Sequence, residues 1–191
     1  MATGRTNQLT GAVGEFLVAA ELCRRDLLAT PFAGNVPHFD IIVSGQFGDH
    51  LAVQVKAINK GNWQFDIRKF ADVQLCNEKN EPSKDGKRQI VGQRRPEPFP
   101  GLMCVLVVLK DKERPEDRDR FFVLEWKELQ GILVPRHEKV LSKYGGRLPD
   151  GRVWGIRPKN PRSFHISLGI KDVEESFEDK WRKISDRFPG H

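Results

Sequence analysis

Asp40, Gln54 and Lys56 combine a carboxylate, an amide oxygen and an ammonium within a short stretch of chain, a set able to serve phosphoryl chemistry. They lie in the stretch from Phe39 to Ile58, whose apolar and polar residues alternate like two strands joined by a glycine-bounded turn, so it reads as a β-hairpin. A period of two puts Phe39, Ile41 and Val43 on one face, with Leu51, Val53, Val55 and Ala57 on the matching face of the second strand. Asp40, Gln54 and Lys56 are left on the other side. If residues 44 to 50 form the loop, Val43 opposes Leu51 and Asp40 opposes Gln54, with Cβ atoms ~4.5–5.5 Å apart. A carboxylate and an amide oxygen at that separation suit a hard cation, and Mg²⁺ commonly takes one or two carboxylates and completes its octahedron with water and substrate phosphate. Lys56 points the same way, where an ammonium can hold the attacking water or neutralise charge growing on a phosphoryl oxygen. The same stretch also fits a surface hairpin whose polar residues face solvent.

A second element is needed to complete such a site. The stretch from Leu9 to Arg25 reads as a helix that is apolar nearly all round, with Thr10 or a neighbour as N-cap, and so as a buried helix. Glu15 shares a face of it with Val18, Ala19 and Leu22, a position where an unpaired charge is costly and asks for a cation. The macrodipole offers a plainer reason for a glutamate near a helix N-terminus.

Glu15 on the first helix, then Asp40, then Gln54-Val55-Lys56 across a hairpin, resembles the PD-(D/E)XK nuclease superfamily. The glutamine in place of the usual acidic residue is similar to the Gln-x-Lys variant of Mrr-type restriction endonucleases. The resemblance covers roughly the first third of the chain. It implies a restriction-endonuclease-like α/β/α core, a central mixed β-sheet flanked by helices, and a Mg²⁺-dependent endonuclease hydrolysing DNA, with Mn²⁺ able to substitute. It also implies that Asp40, the Gln54 side chain and the Val55 carbonyl hold the metal, that Lys56 positions water, and that Glu15 holds a water beside the ion or orients Lys56. The chain departs from the pattern twice: His38-Phe39 precedes Asp40 with no adjacent proline, and Gln54 supplies one negative charge fewer. The second departure leaves open a catalytically weak or inactive relative that binds nucleic acid or assembles with other subunits. Ribonuclease activity also stays open, since attack on an RNA phosphodiester needs the same groups. A role in microbial DNA defence or processing follows from the resemblance alone, and cutting both strands of a duplex takes two sites, which fits a homodimer.

The 191 residues suffice for one well-buried core and are read as a single domain. A formal charge of +6 and a pI near 9.3 favour a polyanionic partner. Cys23, Cys76 and Cys104 are odd in number and widely spaced, which indicates neither a disulfide framework nor a zinc site, and suggests core thiols in a reducing cytoplasm. No apolar run approaches the ~20 residues of a membrane helix, and the N-terminus lacks the apolar core of a signal peptide.

Along the rest of the chain, 27–32 is expected to form a short edge strand because of Pro31, and Gly34-Asn35-Val36-Pro37 a turn. His38 stands two residues before Asp40, as a substrate or metal contact or as a plain surface residue. Residues 63–70 begin as a strand that could extend the sheet, with Trp63 and Phe65 in the core. Residues 77–101 read as a long basic loop or insertion. Lys60, Arg68, Lys84, Lys87, Arg88, Arg94 and Arg95 are the candidate phosphate contacts, against the alternative of solvated cations on a mobile loop. Residues 102–109 are continuously apolar, as in a strand buried on both faces, and 121–124 form its partner. A short helix is expected within 125–132 and irregular chain over 135–162, which carries a second basic stretch with Tyr144 and Trp154 as candidate stacking residues. A last strand over 163–168 and an amphipathic helix over 172–187 complete the reading.

Overall fold

A computed structural model describes residues 4–32, 38–111, 113–114, 116–146 and 164–188. The turn expected at 34–37, the stacking residue Trp154 and the basic residues Arg147, Arg152, Arg157, Lys159 and Arg162 lie outside them. The chain divides into two compact units, one of residues 1–63, 97–129 and 169–191, the other of 64–96 and 130–168.

The first unit is built on a mixed five-stranded sheet. Helix α1 (Gly4–Cys23) is followed by β1 (Leu28–Pro31), β2 (Ile41–Ser44) and β3 (His50–Ile58), and later by β7 (Met103–Val108) and β8 (Arg120–Glu125). The order is β1-β2-β3-β7-β8. β7 runs parallel to β3, while the other neighbours are antiparallel. This is the mixed α/β architecture that the sequence predicts. β7 is apolar throughout because it is central, and five of its six residues are buried. β1 lies at an edge and ends at Pro31, where its missing N–H does not interrupt the ladder.

The predicted hairpin register is the observed one: Val43 pairs with Leu51 and Ile41 with Val53. Alternation explains it, since Ile41, Val43, Leu51 and Val53 must all point to one core, and a one-residue slip would turn them out. That core also receives Val18, Ala19 and Leu22 of α1, alternate residues of β7 and β8, and Trp181, Ile184 and Phe188 near the C-terminus. Helix α1 is not buried all round, however. Leu9, Val13 and Phe16 are exposed, because only the stripe through Val18 and Leu22 meets the sheet. It comes closest at Gly14, where a Cβ would stand 2.5 Å from that of Ala57.

The predicted helix over 172–187 is broken. A 3₁₀ turn (Ile170–Asp172) leads into α3 (Glu174–Phe177), and α4 (Arg182–Ser185) follows after a gap. Glu178 is extended and bridges to Phe122, and Asp179 donates its N–H to Phe121 O with a left-handed φ of 52°. Arg120 holds this kink with a two-pronged contact to Glu178, Nε to Oε1 at 2.8 Å and Nη2 to Oε2 at 2.7 Å. Pairing to the edge of β8 therefore outweighs helix continuation, while Val173, Trp181 and Ile184 still bury as their spacing requires.

The second unit contains most of β4 (Trp63–Asp66), a 3₁₀ turn (Ile67–Lys69), β5 (Ala71–Cys76), β6 (Arg88–Arg94), the greater part of α2 (Trp126–Lys143) and β9 (His165–Leu168). Three expectations change here. β4 pairs with β9 in a separate two-stranded sheet and does not extend the main one. The stretch 77–101 is not one loop, since β6 returns antiparallel to β5 and only 77–87 form the connection. α2 is 18 residues long and continues through Pro135. A mid-helix proline costs about 3 kcal/mol, and burial of Leu133, Val134, His137 and Leu141 offsets it.

Candidate active site

Asp40 stands where β2 has not yet begun and β3 is paired on its other edge only, with β7, and the Asp40 backbone is fastened on both sides. Its N–H donates to Val53 O and its carbonyl accepts from Phe32 N–H, each at 2.9 Å. The preceding Phe39 wedges edge-on between Phe32 and Phe99 at 5.3 and 5.2 Å. The carboxylate then reaches the neighbouring strand, where Oδ2 accepts the N–H of Val55 at 2.7 Å. An acidic side chain thus replaces the ladder partner that β2 does not provide, and it does so at the centre of Gln54-Val55-Lys56.

Gln54 and Lys56 project from the face of β3 opposite to Val53 and Val55. Gln54 is half-buried and Lys56 exposed. In the parallel register Gln54 lies beside Cys104, whose buried thiol is pushed well up by desolvation and further by the charge of Asp40. Burial thus disfavours the thiolate form of Cys104.

Glu15 approaches from the other side. α1 runs along β3 with Thr10 accepting a hydrogen bond from Asn59 Nδ2 at 2.9 Å and Gly14 against Ala57 and Val55. Half-buried Glu15 has its pKa raised, first by desolvation and then by repulsion from Asp40. Two carboxylates brought together in partial burial repel each other and favour either a shared proton or a cation. The elements thus fasten Asp40 to the Val55 backbone and set Glu15 where it feels the Asp40 charge, while Gln54 and Lys56 project from the face of β3 opposite to the one that Gly14 of α1 meets. Sequence reasoning missed Gly14, because only the approach of the helix to the strand gives that glycine a role.

Hard oxygen donors of this kind fit Mg²⁺, which needs few protein ligands. Among the described residues no group of three or more His, Cys, Asp or Glu side chains could hold a metal ion. Any site here would depend on the amide of Gln54 and a backbone carbonyl to supplement the two carboxylates. His38 is exposed, with its ring 6.3 Å from that of Phe99 and its φ at 78°.

The candidate phosphate contacts fall into three groups. Lys60 pairs with Asp111 at 3.1 Å, Arg95 with Asp72 at 2.9 Å, and Arg68 with Asp66 at 2.6 Å while lying over the Phe164 ring. The Arg68 guanidinium holds the Asp66 carboxyl below its usual range. Arg88 is half-buried and donates to Glu78 O at 3.2 Å. Lys84, Lys87 and Arg94 are exposed, and their side chains make no ion pair or hydrogen bond among the described residues. Tyr144 is exposed and lies beside Lys143 Nζ. Cys76 and Cys104 are buried as expected, whereas Cys23 is exposed at the end of α1. No helix among the described residues is long and apolar enough to cross a membrane.

No family model matches the chain, and no curated protein matches it. Among solved structures it is similar to a bacterial homing endonuclease, I-Ssp6803I, at 17% identity and a TM-score of 0.39, over 66% of this chain and 73% of that one.

Proposed function

We propose that the chain is a Mg²⁺-dependent endonuclease acting on DNA, with Asp40, Gln54, Lys56 and Glu15 as its site. The observation that carries this reading is the fastening of the Asp40 carboxylate onto the Val55 N–H, together with its repulsion of a second, half-buried carboxylate, Glu15. A surface hairpin gains a satisfied N–H from the first of these contacts but nothing from the repulsion between two carboxylates, which a cation relieves. The ion, when bound by Asp40, the Gln54 amide and the Val55 carbonyl, supplies Lewis-acid polarisation of the scissile phosphate. Lys56 positions the attacking water and offsets charge on the phosphoryl oxygens. Glu15 holds water or orients Lys56. Lys84, Lys87 and Arg94 supply phosphate contacts, joined by Lys60, Arg68, Arg88 and Arg95 where their present partners are exchanged for phosphate.

The test offers supercoiled, linear and single-stranded DNA, and RNA, to the purified protein with Mg²⁺ or Mn²⁺. Cleavage lost in both Asp40→Ala and Lys56→Ala is expected; cleavage that survives both places the chemistry elsewhere. A second reading, a nuclease-like module that binds nucleic acid without cutting, is favoured by Gln54 and by the small number of acidic groups around Asp40. Salt-dependent binding with no cleavage under any divalent ion selects it.

A further inference from the structure

We propose that the second unit is the part of the chain that grips duplex DNA, with the β5–β6 ribbon lying in the major groove. The proposal takes its partner class from the nucleic-acid reading above and adds which unit binds, which side chains contact it, and that the duplex is B-form.

The charge of the chain is unequally shared. Residues 64–96 and 130–168 carry 16 Lys and Arg against 7 Asp and Glu, a net +9, while the remaining segments carry 16 against 19, a net −3. The excess of +6 thus belongs wholly to the unit that lacks Glu15, Asp40, Gln54 and Lys56. A polyanion is held by the former unit, since counterion release from phosphates needs clustered cations.

Within that unit the ribbon has an open face. Gln74 pairs with Ile90 in the register, and both are exposed, as are Asp72 and Gly92 farther along. Gly92 adds no side chain there, and its Cβ direction meets only Asp72, at 3.5 Å. Arg95 reaches this face through its bond to Asp72, at 2.9 Å. The side chain of Gln74 makes no hydrogen bond among the described residues. The opposite face is mounted on α2. Gln130 Nε2 donates to Phe70 O at 2.7 Å and to Arg95 O at 2.8 Å, and His137 Nε2 meets Gln89 Oε1 at 3.0 Å, with all three side chains buried. The ribbon is therefore rigidly presented. Free cations bracket it, Lys84 and Lys87 in the connection and Arg94 at the end of β6.

A B-form major groove, about 12 Å wide, admits a two-stranded ribbon, whereas the A-form major groove of duplex RNA is too narrow for side chains to read. The amide of Gln74 matches the donor and acceptor pair of adenine, Ile90 the methyl of thymine, and the Asp72-oriented guanidinium of Arg95 the acceptors of guanine. Lys84, Lys87 and Arg94 contact phosphate, which fixes position without reading sequence.

The experiment uses the full chain in divalent-free buffer, so that no cleavage intervenes. Binding to a labelled DNA duplex, and to an RNA duplex of the same sequence, is measured between about 50 and 200 mM salt. The triple variant Lys84→Gln, Lys87→Gln, Arg94→Gln is expected to bind DNA at least about tenfold more weakly, with a salt slope smaller by roughly 3. Lys171→Gln with Lys180→Gln, exposed in the first unit, is expected to leave both unchanged. Gln74→Ala with Ile90→Ala is expected to keep the slope and alter which sequences are retained from a randomised duplex pool. The proposal is overturned if the wild type binds no DNA, if the triple variant binds as the wild type does, if the RNA duplex binds as tightly, or if the retained sequences do not change. Absence of cleavage under every divalent ion, with this binding pattern intact, removes the nuclease reading and leaves the present one standing.

Discussion

The carboxylate of Asp40 accepts the backbone N–H of Val55 at 2.7 Å, so one side chain both closes the end of the β2–β3 pair and supplies the acidic centre of the candidate site. Its two roles separate by substitution. Asp40→Ala leaves the Val55 N–H without its acceptor, at a cost of about 1–3 kcal/mol, and removes the charge as well. Asp40→Asn keeps an oxygen acceptor and removes only the charge. Thermal unfolding should place Asp40→Asn near the wild type and Asp40→Ala clearly below it, while divalent-dependent cleavage should be lost in both. A cleavage rate for Asp40→Asn close to that of the wild type would remove Asp40 from the chemistry.

The raised pKa of Glu15 gives a stability prediction of unusual sign. A carboxylate whose folded pKa lies above its unfolded value binds more protons when folded, so folding gains stability as pH falls through the window between the raised pKa and 4.5. Above that window the ionised group opposes folding. In divalent-free buffer at neutral pH, Glu15→Gln should therefore unfold at a higher temperature than the wild type. Added Mg²⁺ or Mn²⁺ should stabilise the wild type and have less effect on the variant. Equal stabilisation of both by either ion would show that Glu15 is not part of the cation site.

Gly14 allows α1 to close on β3, and its Cβ direction leads to Ala57 at 2.5 Å. Gly14→Ala must push the helix away, and overpacking of this kind costs about 1–3 kcal/mol. That outweighs the helix-propensity gain of about 1 kcal/mol. The double variant Gly14→Ala, Ala57→Gly returns the space and should recover most of the loss. Denaturant midpoints of the three proteins check this, and a single variant as stable as the wild type would disprove the tight contact.

His137 controls acid sensitivity in the second unit. It is fully buried, its Nδ1 has no hydrogen-bond partner, and desolvation lowers its pKa to about 4. The unfolded chain takes up the proton first, so stability is present above pH 6.5 and is lost as pH falls from there toward about 4. Near pH 5 the loss is on the order of 1–2 kcal/mol. His137→Leu should lower stability at pH 7.5, by removing the buried hydrogen bond between His137 and Gln89, yet show a flatter decline with acid. Urea unfolding from pH 7.5 to 5 measures both slopes, and parallel declines would contradict the assignment.

Much of the first unit was legible along the chain because its strands obey short periods. The alternation through Ile41, Val43, Leu51 and Val53 fixed the hairpin register, and the unbroken apolar run of β7 required a central strand. The four polar residues of the candidate site were legible for the same reason, as the members that break the apolar rows. What alternation does not contain is the partner of each strand. Thus β4 was open to the main sheet or to another, and pairing with β9, about a hundred residues on, decided it.

Which residues lie on which face of each strand could be read along the chain, because side-chain direction follows from local backbone geometry. Long-range contacts settled that Asp40 bonds Val55, that α2 continues past Pro135, that the C-terminal helix yields to a bridge at Glu178, and that the basic stretch folds back as a ribbon. Each of these is a competition between local preference and a contact with a residue far along the chain, and its outcome depends on burial and on hydrogen-bond partners that no local window holds.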